Sequence, residues 1–485
     1  MSSLLKQHAT QQSVKLSEII SSINGLSPYH NYSKLLNEQH FYQNSIMLQW
    51  SERTVHPVTL RQLANFGKRL TKEKLISGAN FVRTELPTRL ALKIKELQRL
   101  DFEISNNFHL RQVYESYYHC FNAFRRTGSI DTLDENENFC NFLSNVLDDH
   151  LLILPHLMMG SLEVSILQLL PQQKLDEFIS SMIRSRISRR LIMEQHISLS
   201  KSFLEQEKNG GAVVLDKSPD FVGLVFQTIS AHDHLKLMTS YISVFLQTQY
   251  PGIQLPELII EGKDVQFQFM KSHINYIFAE ILRNALKSTL EQFVQTHKHL
   301  TQEQLSQIKP PPIKVQIINS KREVEFVFSD QGGGIPREKL DKIWSFGKNP
   351  IRAAKYLHTF HRMPGLDLTP QFPILDHQYT RHGAKVAPAP NQHQHDPIIK
   401  DLMHNLGSID DAVVDVEQEK STLKSLVSRP FEFTLGVSLP MCKVYTDYWN
   451  GDLNMCSVEG YGTDVYLKLS KLGMSLDHRA QLDRA

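Results

Sequence analysis

The chain has 485 residues, of which 41% are hydrophobic and 21% charged, the usage of an ordinary globular protein. Its length corresponds to roughly two to four domains, each able to bury a core. Lys plus Arg number 53 against 51 for Asp plus Glu, and this near-balance (formal charge +2) argues against a protein built to coat nucleic acid.

No apolar run approaches the roughly 18 residues of a membrane-spanning helix. The greasiest stretch, residues 151–159, is broken by Pro155 and His156. Cys120, Cys140, Cys442 and Cys456 are scattered without a C-x-x-C pair, which speaks against a disulfide framework or a zinc site and for a reducing, matrix-like compartment. Residues 1–17 carry Lys6 and Lys15, Ser and Gln, and no acid before Glu18. Mitochondrial presequences share that bias, although the usual arginines are missing, and a plain tail has it too. Residues 1–54 hold no sustained periodicity and read as a mobile N-terminal segment.

From residue 58 to 206 the pattern is helical. Phe81, Leu86, Leu90, Ile94 and Leu97 form an inward stripe. Pro87 within it predicts a kink or a helix start near Glu85. Further helical runs at 113–124, 139–154 and 162–204 complete a four-helix bundle over 55–210. The Gly210-Gly211 break ends that regime. Beyond it, alternation of Val265, Phe267 and Phe269, of residues 314–318 and 323–328, and of Val465, Leu467 and Leu469 predicts strands. Helices at 221–246 and 274–294 lie among them, so residues 215–475 read as an α+β layer sandwich, with 476–485 as a tail. Residues 350–428 are rich in His, Pro and Gln and read as an insertion, a lid or a disordered loop. There, His358-x-x-His361 and His393-x-His395 have a spacing compatible with a metal, and equally with a flexible His/Pro-rich loop.

Candidate chemistry is spread over four places. On the 274–294 helix, Ile274, Ile277, Phe278, Ile281, Leu282 and Ala285 make a core stripe, while Glu280, Asn284 and Lys287 line up along another ridge. A carboxylate, an amide and an amine there can act as proton acceptor, Mg²⁺ ligand and phosphate contact, or can simply be a solvated face. Asp330-Gln331-Gly332-Gly333-Gly334 ends the 323–328 strand, where Asp330 can accept from an exocyclic amine or merely close a turn. Thr434-Leu435-Gly436-Val437-Ser438 leads into a helix and offers backbone N–H groups to phosphate. Gly460-Tyr461-Gly462-Thr463 leads into the last strand and can seat a nucleobase.

The order of these parts resembles the GHKL (Bergerat-type) ATP-binding fold of sensor histidine kinases, a heat-shock chaperone family, type II topoisomerases and mismatch-repair ATPases. Neither a G-x-x-x-x-G-K-[ST] loop nor the common protein-kinase signature is present. With Thr84-Glu85-Leu86-Pro87-Thr88-Arg89-Leu90, Leu154-Pro155-His156-Leu157-Met158-Met159-Gly160 and Ser185-Arg186-Ile187-Ser188-Arg189-Arg190 through His196, the chain is similar to mitochondrial pyruvate dehydrogenase and branched-chain 2-oxoacid dehydrogenase kinases over roughly residues 55–470 outside the insertion, and to a fungal-like member of them.

The resemblance implies an ATP- and Mg²⁺-dependent protein serine kinase of the mitochondrial matrix that inactivates a 2-oxoacid dehydrogenase complex, pyruvate dehydrogenase being the expected one. It implies Asn284 as Mg²⁺ ligand and Glu280 as proton acceptor. Asp330 would read adenine, with Gly332, Gly334, Gly462 and Thr463 around the base, and Lys287, Gly436 and Ser438 would lie at the phosphates. The bundle would dock on a lipoyl domain, the decarboxylase alpha subunit would be the substrate, and the assembly would be a homodimer or a heterodimer with a related kinase. Neither nucleic acid nor a membrane span is expected. Three departures stand out: Thr434 and Ser438 replace lid glycines, and Tyr276 stands where some relatives carry a histidine. They motivate a nucleotide-binding regulator without kinase activity as the alternative. The resemblance implies direct modification of serine with no phosphohistidine step, so His196 reads as structural. A two-component histidine kinase would need a phosphoacceptor His on a dimerisation hairpin with a following acidic residue and an Arg-Thr-Pro-Leu-like segment, which the chain does not show. A DNA-linked ATPase is disfavoured by the charge and the helical N-terminal half.

Overall fold

The computed structural model describes residues 44–58, 70–105, 107–208, 225–363 and 422–471. The chain is helical in its first half and carries a mixed α+β layer in its second. In the first half run α1 (Asn44–Ser51), α2 (Lys72–Gln98), α3 (Phe102–Ser105), α4 (Phe108–Arg126), α5 (Leu133–Asp149), α6 (Ile153–Leu167) and α7 (Gln172–Lys208). Local chemistry sets the starts. Asn107 accepts from the His109 and Leu110 N–H groups, and Thr132 with Glu135 forms a capping box. The helix α2 packs on α4 and α7, α4 on α6, and α5 on α7.

Several expectations are corrected here. α1 lies inside the segment read as mobile and packs on α2 with Met47 fully buried; residues 1–43 lie outside the described residues. Pro87 neither starts nor ends a helix. It sits inside α2, where the lost backbone bond is outweighed by burial of Leu86, Leu90 and Ile94. The run 162–204 is two helices, because Gln168 takes a left-handed cap (φ 53°) ahead of Pro171. The stretch Leu133–Leu167 is apolar and long enough by composition to cross a membrane, contrary to the sequence reading. Its most apolar window is 83% buried inside the protein, and it breaks into two helices at residues 150–152, as core helices do.

The second half contains β1 (Gln227–Ser230), α8 (Ala231–Gln249), β2 (Leu258–Glu261), β3 (Gln266–Phe269), α9 (Lys271–Thr296), α10 (Gln302–Gln307), β4 (Ile313–Asn319), β5 (Glu323–Asp330), α11 (Arg337–Leu340), α12 (Pro350–Arg362), α13 (Thr422–Val427), α14 (Ser438–Tyr448), β6 (Asp452–Val458) and β7 (Gly462–Ser470). The expected helix at 221–246 begins only at Ala231. Residues 227–230 are strand, and Ser230 caps the helix by accepting from Asp233 N–H. The main sheet has the order β2-β4-β5-β7-β6, antiparallel except for the parallel β2–β4 pair, and β1 pairs with β3 separately. Alternation buries Val324, Phe326 and Phe328 on one face of β5, against α9.

The boundary near residues 210–215, the tail 476–485 and most of the proposed insertion lie outside the described residues. The insertion begins later than 350, since α12 is an ordered helix that buries Ala353, Leu357 and Phe360 and packs on α6. Among the described residues no group of three His, Cys, Asp or Glu stands together as a metal site; His393 and His395 lie outside them. All four cysteines are free.

Candidate active site

Two faces of α9 do different jobs. The apolar stripe seats the helix on the sheet, with the Phe278 ring 5.0 Å from Phe326 and 6.0 Å from Phe328. Another side opens onto a cavity of about 940 Å³, walled by α9, the tips of β5 and β7, residues 332–350 and residues 429–439. Gln168 and Gln172 of the helical half join its rim. Asp176 of α7 pins the adjoining loop by accepting from the Phe346 and Gly347 N–H groups and the Ser345 hydroxyl.

Of the residues singled out from sequence, Asn284, Lys287, Asp330, Gly332, Gly334, Gly436, Ser438 and Thr463 line this cavity, whereas Glu280 and Gly462 do not. Asp330 and Thr463 face each other across the β5–β7 ladder. The Gly332 N–H donates to Asp330 Oδ1 at 2.8 Å, and the Thr463 and Ser457 hydroxyls share a bond of 2.9 Å. Burial pushes the Asp330 carboxyl up to about 6, partly offset by the Gly332 and Thr463 N–H groups. Gly462 backs this wall, packed on the Asp330 carbonyl.

At two of these positions the glycine also takes a positive φ. Gly334 has φ +68° and would drive a Cβ into the Val458 carbonyl; Gly436 has φ +71° and would drive one into the Tyr356 ring. Thr434, one of the substituted lid positions, accepts from Lys287 Nζ at 3.1 Å, while burial lowers the Lys287 pKa.

The ridge expected on α9 is split. Asn284 is exposed and Lys287 half-buried at the cavity, but Glu280 is fully buried. Its two oxygens accept from Nη1 and Nη2 of Arg429, the second at 2.7 Å. Burial pushes the Glu280 carboxyl up, but Arg429 first, then Arg283 and the Ser438 hydroxyl, more than offset it and hold the group below its ordinary value. Tyr276 does not bond Glu280; its hydroxyl points to Met441 Sδ at 3.6 Å. Sequence reasoning missed both arginines. Arg283 adjoins Asn284 and donates to the Val427 carbonyl at 2.7 Å, and Arg429 stands alone before Pro430 at the end of the insertion. His196 is a buried structural residue bonded to Asn136 Oδ1 at 2.9 Å, and burial depresses its pKa to about 4.

A sequence model described as mitochondrial branched-chain alpha-ketoacid dehydrogenase kinase matches residues 57–226. The pyruvate dehydrogenase (acetyl-transferring) kinase 2, mitochondrial, of Saccharomyces cerevisiae is 37% identical over 473 residues, covering 95% of this chain and 91% of that protein. The chain belongs to the mitochondrial pyruvate dehydrogenase and branched-chain dehydrogenase kinase family. More distant relatives include the mitochondrial pyruvate dehydrogenase kinase of Arabidopsis thaliana, 24% identical over 86% of this chain and 91% of its own length. Human isozyme 4 is 23% identical over 86% and 82%. This family member is a protein kinase, and kinases draw their phosphoryl group from ATP. The kinase's cavity suits a triphosphate in charge: Lys287, Lys339, Lys342 and Lys348 line it, Arg283 Nε and Nη1 are buried in its wall without a hydrogen-bond partner, and the adjacent Glu280 is already matched by Arg429.

Proposed function

We propose that this kinase transfers the γ-phosphoryl group of ATP to a serine of the pyruvate dehydrogenase decarboxylase alpha subunit and so inactivates the complex in the mitochondrial matrix. The observation that carries this reading is one cavity shared by Asn284, Lys287, Asp330 and Thr463, with partnerless guanidinium donors of Arg283 in its wall. The second half is read as the GHKL sandwich. The first half is read as the four-helix bundle of residues 55–210, docking on a lipoyl domain, and the assembly as a homodimer or a heterodimer with a related kinase.

Adenine lies over the paired tips of β5 and β7, where the Asp330 carboxylate accepts from the exocyclic amine and Gly332, Gly334, Gly462 and Thr463 leave room for a flat ring. The phosphates lie toward Lys287, Arg283, Gly436 and the first turn of α14 at Ser438, whose N–H groups and dipole favour anions. The exposed amide oxygen of Asn284 fits a hard cation that keeps water and phosphate oxygens as its remaining ligands. Asn284 would hold Mg²⁺, which when bound neutralises charge on the phosphates. Glu280, one turn before Asn284, accepts the proton of the attacking serine. Positioning and charge account for most of such a reaction, so this sparse set suffices.

The test is labelling by ATP and Mg²⁺ of purified pyruvate dehydrogenase and branched-chain dehydrogenase complexes side by side. Acid-stable phosphoserine on the pyruvate dehydrogenase alpha subunit is expected. Label on the branched-chain complex alone overturns the substrate assignment, and label on neither overturns the activity.

A further inference from the structure

Arg429 spends its whole hydrogen-bonding capacity within the protein. A guanidinium has five N–H donors, and all five have acceptors here. Nε donates to the Phe433 carbonyl at 2.9 Å, Nη1 to Glu280 Oε1 and the Leu426 carbonyl, and Nη2 to Glu280 Oε2 and, at 3.4 Å, the Ser438 hydroxyl. Both Glu280 oxygens bond the guanidinium, which takes two of the carboxylate's roughly four acceptor sites, and the residue does not line the cavity. Arg429 lines the cavity while Glu280 is fully buried behind it, so a serine hydroxyl in the cavity meets the guanidinium and not the carboxylate.

The segment that carries Arg429 is a strap fastened at both ends. At its start, Thr422 donates to the Leu151 carbonyl at 2.5 Å and accepts from Arg186, both in the helical half. In its middle, Arg283 of α9 holds the Val427 carbonyl and lies 4.6 Å over the Phe431 ring. At its end, Thr434 is tied to Lys287 and Gly436 packs on Tyr356. Residues 422–436 therefore join the helical half to the nucleotide cavity, with the Arg429–Glu280 pair at the centre.

We infer that Arg429 is a positioning residue that latches Glu280: while the strap is down the guanidinium occupies the proton acceptor, and phosphoryl transfer waits on strap release, to which the helical half contributes through Thr422. This rests on the reading of Glu280 as acceptor in a serine kinase. A buried bidentate pair is suited to such a two-state role, because it is lost as a unit once the geometry slips.

The experiment uses the full chain with Arg429→Lys, which keeps a cation but cannot hold five acceptors, and Thr422→Val, which loosens the far end and touches neither Glu280 nor the cavity. Two readouts are taken: steady-state labelling of the dehydrogenase at varied ATP, and amide hydrogen exchange along the chain. Both variants are expected to exchange faster at residues 422–436 with the β4–β7 sheet unchanged, and to raise kcat by up to roughly tenfold, about 1.4 kcal/mol of barrier. Unchanged exchange in the strap overturns the latch. Faster exchange with a lower kcat also overturns it, since Arg429 would then hold Glu280 in its working place. Should the wild type label no dehydrogenase while the strap loosens as expected, the kinase reading fails and the strap linkage stands.

Discussion

Glu280 and Arg429, 149 residues apart in sequence, meet side by side through two hydrogen bonds beneath the nucleotide cavity, each screened from solvent. Glu280→Gln leaves the guanidinium buried against a neutral amide, with an expected loss of about 3 kcal/mol of folding stability and at least roughly 100-fold of phosphoryl transfer. The folded carboxyl lies below its ordinary value of 4.5, so its contribution is complete above that value and is lost as pH falls through the lower, folded pKa. Denaturation curves should show a constant gap between wild type and variant above about pH 5 and a closing gap on acidification. A gap that widens instead would contradict the pairing.

Asp330 has the opposite sign. Its folded carboxyl is raised to about 6 by burial, so it becomes a full acceptor only above that pH. ATP affinity should therefore rise through about pH 6 and level off, falling close to tenfold per pH unit on the acid side. Asp330→Asn should bind ATP weakly at every pH and lose the slope. Calorimetric titration from pH 5 to 8 checks both, and a flat profile in the wild type would separate Asp330 from the base.

Much of this geometry is written locally and some is not. The 265–269, 314–318 and 323–328 alternations became β3, β4 and β5, and the Ile274–Ala285 stripe became the buried side of α9. Asp330 and Thr463 could be read because each sits in a small-residue turn at a strand end. Arg429 could not: an ion pair between distant segments leaves no period, and a single arginine before a proline is common in any loop. The buried Glu280 was misjudged for a related reason, since helical spacing gives the direction of a ridge but not what is packed over it. α12 escaped because its stripe is short and begins with two alanines, while β1, β2 and β6 are short or lie at sheet edges where alternation is weak.

At Gly436 two costs can be separated. An alanine there must adopt φ +71° and also displace the Tyr356 ring. Gly436→Ala should lose roughly 1–2 kcal/mol from backbone conformation alone, with a further loss from the overlap. Adding Tyr356→Ala should recover the second part and leave the first. Thermal unfolding of the two single variants and the double variant measures this, and a double variant no more stable than Gly436→Ala would remove the ring from the account.

Asn284 is the test of the metal. Its amide is exposed at the cavity, so truncation leaves no buried group unpaired and the fold should be unaffected. What changes is the part of ATP binding that depends on Mg²⁺. With Mg²⁺ present, Asn284→Ala should bind ATP at least roughly tenfold more weakly than the wild type; in excess chelator the two should bind alike, because the contacts proposed for Asp330, Lys287 and Arg283 do not need the ion. The comparison across the four conditions isolates the ion's share, since any general damage to the cavity would weaken binding in chelator as well. Equal loss with and without Mg²⁺ would move Asn284 from ion ligand to direct phosphate contact.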